Sequence, residues 1–198
     1  GRAEDWLGAL SGLLGLGRNV DGIEEQFKQV SDHEEFMKKL VVAARAQKEA
    51  GSRKFNFPEA YIIGRLAAAS KRTEYVVEFY KMAMDFRPAQ RTQLTAQLIQ
   101  YLTEQEETLL VAEILEEAMK SPGNPRLKAA YGQMLAQTLM TITYDQEEAG
   151  DRKEALKTIT RAQDAMPGNP LLTYRRAWLE WRNGHPEAAI TIFESLIE

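Results

Sequence analysis

Apolar residues recur along most of the chain at the three- and four-residue steps of a helix. Val76, Phe79, Tyr80 and Ala83 fall on one helical face, as do Leu94, Leu98, Ile99 and Leu102. No segment sustains the alternation of a strand, so the pattern predicts an all-α fold. Its breaks coincide with proline, glycine and capping residues, which place helices near residues 32–50, 58–70, 72–86, 91–105, 107–120, 125–148, 151–165, 170–183 and 186–197. Asp151 is a predicted N-cap, with Glu154 completing an acidic capping box. Pro167-Gly168-Asn169-Pro170 stops one helix and starts the next, because proline cannot continue a helix but fits its first turn. The same four residue types recur at Pro122-Gly123-Asn124-Pro125. Asp21 with Glu24 and Ser31 with Glu34 are further capping pairs, predicting a short helix and then a long one. Residues 1–20, rich in leucine and glycine, are expected to be irregular or flexible.

The spacing of the breaks is itself periodic. Pro88 and Pro122 stand 34 residues apart (122 − 88), as do Gly150 and Gly184 (184 − 150), and Ala155 and Ala189 (189 − 155). Different residue types report one period, which marks a repeat of helix pairs. Gly64 supplies a small residue at a helix crossing. Val76, Tyr80, Ala83 and Pro88 form one second-helix series, and Val111, Leu115, Ala118 and Pro122 another. Ala155, Ile159, Ala162 and Pro167 form a third, and Ala189, Phe193 and Leu196 a fourth that stops at Glu198 before its proline.

This pattern resembles the tetratricopeptide repeat (TPR) over residues 57–198. Two departures stand out. Pro122 and Pro167 are 45 residues apart (167 − 122), 11 more than the period. The stripe Leu127, Tyr131, Met134, Leu135, Thr138 and Ile142 assigns the excess to a lengthened first helix of the third repeat, about three added turns. In the last first-helix, Arg176 and Glu180 stand where apolar residues are usual, so its packing stripe is expected to rotate toward Tyr174, Ala177, Trp178 and Trp181. The resemblance implies a right-handed α-solenoid of about four repeats, the last truncated, following an N-terminal helical segment at 21–56. It also implies continuation or capping of the solenoid beyond Glu198.

The resemblance further implies that first helices line a binding groove. By phase this places Tyr61, Ile62 and Arg65 there, then Thr95, Ile99 and Leu102, then Tyr144, and finally Tyr174, Arg175, Trp178 and Arg182. Aromatic residues and arginine dominate binding energy at interfaces. The lysine–asparagine clamp with which some family members hold a C-terminal carboxylate is absent, its first-repeat positions being Tyr61 and Arg65.

Composition narrows the function classes. The 198 residues are 44% hydrophobic and 27% charged, with a net charge of −4, which lacks the basic footprint of a nucleic-acid binder. With no cysteine, zinc ribbons, disulfides and thiol catalysis are excluded. No run of 18 apolar residues is present, so insertion of this segment into a membrane is not expected. His33 and His185 are not at metal spacing, and the acidic groups near Glu104 and Asp145 lack the calcium-loop pattern. No Walker loop, zinc-protease motif or nucleophile elbow occurs, so no cofactor and no enzymatic activity are expected. The composition does not fix a compartment. The expected function is a scaffold that binds protein or peptide as part of a larger protein or assembly. Homodimerisation is one alternative. The other is a regulatory or substrate-presenting domain of an enzyme whose catalytic part lies elsewhere.

Overall fold

The computed structural model describes residues 3–15, 27–29, 33–52, 55–120 and 124–197. Among them no strand occurs, and the helices follow in order. They are α1 (Ala3–Gly15), α2 (Glu34–Glu49), α3 (Phe57–Ala69), α4 (Thr73–Phe86), α5 (Arg91–Glu104), α6 (Thr108–Lys120), α7 (Pro125–Glu148), α8 (Arg152–Ala165), α9 (Pro170–Arg182) and α10 (Pro186–Glu194). Residues 27–29 are also helical. The capping pairs expected at Asp21/Glu24 and Ser31/Glu34 involve positions outside the described residues.

One correction comes at the start. The segment expected to be irregular contains α1, because Ala3, Leu7 and Leu10 share a face and are buried. Gly8 and Gly12 face open space, so their absent side chains cost helix propensity but no packing. Trp6 packs on Phe27 and Phe36, with ring centroids 5.6 Å and 6.5 Å apart.

The chain divides into two compact units, Gly1–Tyr101 and Leu102–Glu198. In the first, α3 and α4 form a helix pair that closes on Gly64, where an added Cβ would lie 2.8 Å from the Tyr80 ring. Helix α2 lies beside α4 and is tied to it by polar pairs. Arg45 Nε donates to Glu78 at 2.8 Å, Lys48 pairs with Asp85, and Glu34 accepts from Arg72 and, at 2.7 Å, from the Tyr75 hydroxyl. The Tyr75 hydrogen bond is the main reason that the Glu34 carboxyl titrates below its ordinary range, with Arg72 and Lys38 adding to it. Burial pushes the Tyr75 phenol up to about 12, and Glu34 adds to that rise.

In the second unit α7 is central. It spans 24 residues, against 13 or 14 for α3, α5 and α9, so the extra length lies in one continuous helix. It packs on α6 and on α8, and both neighbours close on Gly132. An added Cβ there would stand 2.8 Å from Ala165 O and 3.5 Å from Met119 Cε. Arg161 reaches from α8 to Glu116 on α6 at 2.7 Å. Asn124 and Asn169 cap α7 and α9, each side chain accepting from backbone amides of the first turn. Asp151 caps α8 through Glu154 N at 3.4 Å, but the expected reciprocal bond is replaced, since Glu154 pairs with Lys157.

Five helices end in the same turn. In α2, α3, α5, α7 and α9 a six-to-one amide bond of 2.8–3.0 Å closes the end, with Ser52, Arg72, Glu107, Asp151 and His185 as donors. The residue before each donor is left-handed: Gly51, Lys71, Glu106, Gly150 and Gly184. The intervals from Lys71 onward are 35, 44 and 34 residues (106 − 71, 150 − 106, 184 − 150). This is the repeat period read from backbone geometry. It makes the third repeat longer than the 34-residue interval by 10, where the prolines gave 11. The described residues thus form TPR-like helix-turn-helix repeats in an all-α solenoid arrangement, with consecutive helices packed as neighbours within each unit.

These features set three expectations. Gly132→Ala should destabilise the protein by about 1–3 kcal/mol, and by more than Gly64→Ala, because its neighbour is backbone and cannot rotate away. Chemical denaturation of the two variants gives the ranking. By the same measurement Lys71→Gly should stabilise by about 1 kcal/mol, since a side chain in the left-handed region costs roughly that much. The Glu34 contribution, from a depressed carboxyl, is present above the unfolded value near 4.5 and lost as pH falls through the folded value. The Tyr75 contribution, from a raised phenol, is complete below pH 10 and lost between pH 10 and about 12. Glu34→Gln should flatten the acid limb of a urea midpoint–pH curve, and Tyr75→Phe the alkaline limb.

Candidate functional site

Exposed aromatic residues concentrate on α9. Leu171, Tyr174, Trp178 and Trp181 follow a three- and four-residue spacing along one face, with relative exposures of 64%, 51%, 38% and 55%. The core side of α9 is carried by Leu172, Ala177 and Leu179. Of the expected packing stripe only Ala177 is buried, because two polar anchors turn the helix. Arg176 Nη1 donates to Gln163 on α8 at 2.8 Å, and Glu180 Oε2 meets His185 Nδ1 at 2.8 Å. Burying these stems turns Tyr174, Trp178 and Trp181 outward. Tyr174 leans on Phe193 of α10, with ring centroids 5.6 Å apart.

Arg175 links this face to α7. Its guanidinium lies 4.4 Å from the centroid of the Tyr144 ring and pairs with the Glu147 carboxylate. The pair is largely shielded from water, with side-chain exposures of 20% and 14%. The plane of Arg175 is therefore fixed by a carboxylate and a ring together, which holds α7 and α9 at a set spacing. Arg182, one helical turn beyond Trp178, is exposed and has no side-chain partner among the described residues.

Between α7 and the start of α9 lies a cavity of about 270 Å³. Ala136 and Met140 of α7 line it, with Met166, Leu171 and Leu172 from the α8–α9 turn and α9. Gln133 and Gln137 form its polar rim, and Asn169 closes one wall. The Asn169 side chain is already engaged, accepting from Leu171 N and Leu172 N and donating to Met166 Sδ at 3.4 Å. Sequence reasoning missed this cavity, because Met140, Met166 and Leu172 read as ordinary core residues. The only signal was the pair of glutamines four residues apart on a helix whose neighbours are apolar.

The ten positions assigned from sequence thus separate into three sets. Tyr144, Tyr174, Arg175, Trp178 and Arg182 come together on α7 and α9. Tyr61, Ile62 and Arg65 lie on α3 in the other unit, where Arg65 is exposed and Tyr61 and Ile62 are half-buried. Tyr61 stacks on Phe57 at 5.7 Å, meets Tyr80 edge-on at 5.9 Å and donates to Gln97 at 3.4 Å. Arg87 covers the other ring of that stack, 4.6 Å from the Phe57 centroid. Thr95 and Ile99 form the third set and are corrections. Both are buried, as is Leu102, and the Thr95 hydroxyl faces Met84 Sδ at 3.7 Å. They belong to the core stripe of α5 with Leu94 and Leu98, so they cannot also face a ligand. The exposed positions of that helix include Ala96, Gln100 and Thr103.

Among the described residues no group of three or more histidine, aspartate or glutamate side chains is placed to hold a metal ion. No described helix is long and apolar enough to cross a membrane.

No family model matches the chain, and no curated protein matches it. Among solved structures, MamA of MSR-1 aligns over 88% of this chain and 91% of its own at 12% identity, with a TM-score of 0.34. MamA of AMB-1 aligns over 87% and 94% at 12% identity, with a TM-score of 0.31. A Podosopora anserina protein described as a kinesin light chain with nearly identical TPR-like repeats aligns over 94% and 93% at 15% identity, with a TM-score of 0.33. Likenesses of this size carry nothing about a ligand or partner.

Proposed function

We propose that this chain is a protein-interaction scaffold whose principal contact surface is the aromatic and arginine face of α9 together with Tyr144 of α7. The observation that carries this reading is the run Leu171, Tyr174, Trp178 and Trp181, left in solvent on a helix whose opposite side is buried. Contiguous exposed apolar surface of this kind marks interaction sites. Tryptophan, tyrosine and arginine are also the residues that most often dominate binding free energy. The Tyr144–Arg175–Glu147 group supports the reading by fixing the surface in advance, which lowers the ordering cost of binding. Arg65 and Ile62 on α3, beside the Phe57–Tyr61 stack, are a second proposed contact patch in the other unit.

Self-association is the competing occupant of the α9 face. Ile190 and Ile197, both exposed near α10, extend the apolar surface available to a second copy. Light scattering across concentration separates the two. A monomer at all concentrations removes the dimer, and a concentration-dependent mass that Trp178→Ala abolishes supports it.

The scaffold reading is tested with a photo-crosslinking residue at position 181 and mass spectrometry of the captured chains. Trp178→Ala combined with Arg182→Glu should reduce capture at least tenfold while leaving helicity unchanged, since both side chains are exposed. Capture that does not respond to the pair would remove this surface from the proposal.

A further inference from the structure

We propose that the cavity between α7 and α9 is a specificity pocket for one aliphatic side chain of an extended peptide, and that Arg182 reads an acidic residue about five positions away. The proposal rests on the scaffold reading above and narrows it to one class of partner.

Size comes first. A cavity of about 270 Å³ is smaller than the roughly 300–1,000 Å³ typical of small-molecule and cofactor sites. It has the scale of a single leucine, isoleucine or methionine side chain. Its floor offers no charge, and two of its lining residues are methionines, whose flexible thioethers adapt to branched and unbranched aliphatic shapes alike.

The rim selects the backbone conformation. Gln133 and Gln137 are exposed and have no side-chain hydrogen-bond partner among the described residues. Each amide offers one acceptor and two donors. Four residues of helix advance about 6 Å, and two residues of extended chain advance about 6.6 Å. The two glutamines therefore match consecutive same-side amide groups of an extended peptide. A bound helix would satisfy its own backbone and leave both glutamines without partners, so the rim favours the extended form.

Charge complementarity supplies the second determinant. Arg175 is committed to Glu147 and Tyr144, so it divides the groove and does not read a ligand charge. Arg182 is the exposed, unpaired cation on the same face. Leu171 and Arg182 are separated by 11 residues of helix (182 − 171), about 16 Å. Five extended residues cover that distance. Trp178 lies between them and offers its ring to the intervening residue.

The test uses the intact chain on an array of twelve-residue peptides, with each position varied in turn. The wild type should select leucine, isoleucine or methionine at one position and aspartate or glutamate about five positions away. Leu171→Asp changes an exposed side chain at the cavity mouth, so the fold is retained, and it should abolish the aliphatic preference while the acidic one persists. Ala136→Phe, which fills the cavity, should do the same if circular dichroism shows it folded. Arg182→Glu should reverse the acidic preference to lysine or arginine. Gln133→Ala with Gln137→Ala should weaken all retained peptides about tenfold and leave both preferences in place.

Peptide retention without positional preference, or an aliphatic preference that survives Leu171→Asp, overturns the pocket while leaving the scaffold reading intact. No retention on the array, alongside crosslinked capture that Trp178→Ala abolishes, also overturns the pocket and points to a folded partner. Failure of both experiments removes the scaffold reading as well.

Discussion

The structure depends on how closely paired helices approach one another. At Gly132 the backbone of α8 comes so near α7 that a single methyl group has no room. At Gly64 the Tyr80 ring occupies the equivalent space between α3 and α4. Alanines at other buried positions, among them Ala83, Ala155, Ala162, Ala177 and Ala189, keep neighbouring helices close as well. Close packing of this kind leaves little latitude in helix placement, because interiors are as dense as molecular crystals. The site inherits that precision, since the spacing of α7 and α9 decides whether Tyr144 can meet Arg175.

Polar groups then set the rotation of helices whose apolar content would permit more than one. On α9, burying the largest aromatics would be the obvious hydrophobic solution. Arg176 and Glu180 oppose it, because each finds a partner on the inner side, in Gln163 and His185. Partners inside offset the cost of taking those groups from water. The aromatic residues are thereby left outside, where they can serve recognition. In the other unit, the pairs from α2 to α4 have a comparable role along the helix axis, fixing α2 where its small buried residues Ala43 and Ala44 alone would specify little.

The cavity beside α9 shows how a repeat acquires individuality. A regular pair of first helices would pack side by side. Here the α8–α9 turn brings Met166 and the Asn169 cap against α7, and the gap between Met140 and Leu171 stays unfilled. The capping hydrogen bonds that start α9 also build the pocket wall, so local helix chemistry and the shape of the site come from the same residue.

The sequence by itself determined the secondary structure and the repeat. Periodicity, the Pro-Gly-Asn-Pro breaks and the glycine spacing are local signals, and they located α2 to α9 to within about two residues. It did not reveal the left-handed turns at Lys71 and Glu106, because residue type marks such a turn only when it is glycine. It assigned α1 to irregular chain for a related reason: propensity counts glycines but cannot see that Leu7 and Leu10 find a buried neighbourhood. Phase along a helix states which residues share a face. It does not state which face its neighbours will cover. Thr95 and Ile99 were therefore placed in a groove and lie in the core, while Trp178 and Trp181 were assigned to packing and lie in solvent. Only the tertiary structure decided those cases, because burial belongs to the contact between helices and not to either helix alone.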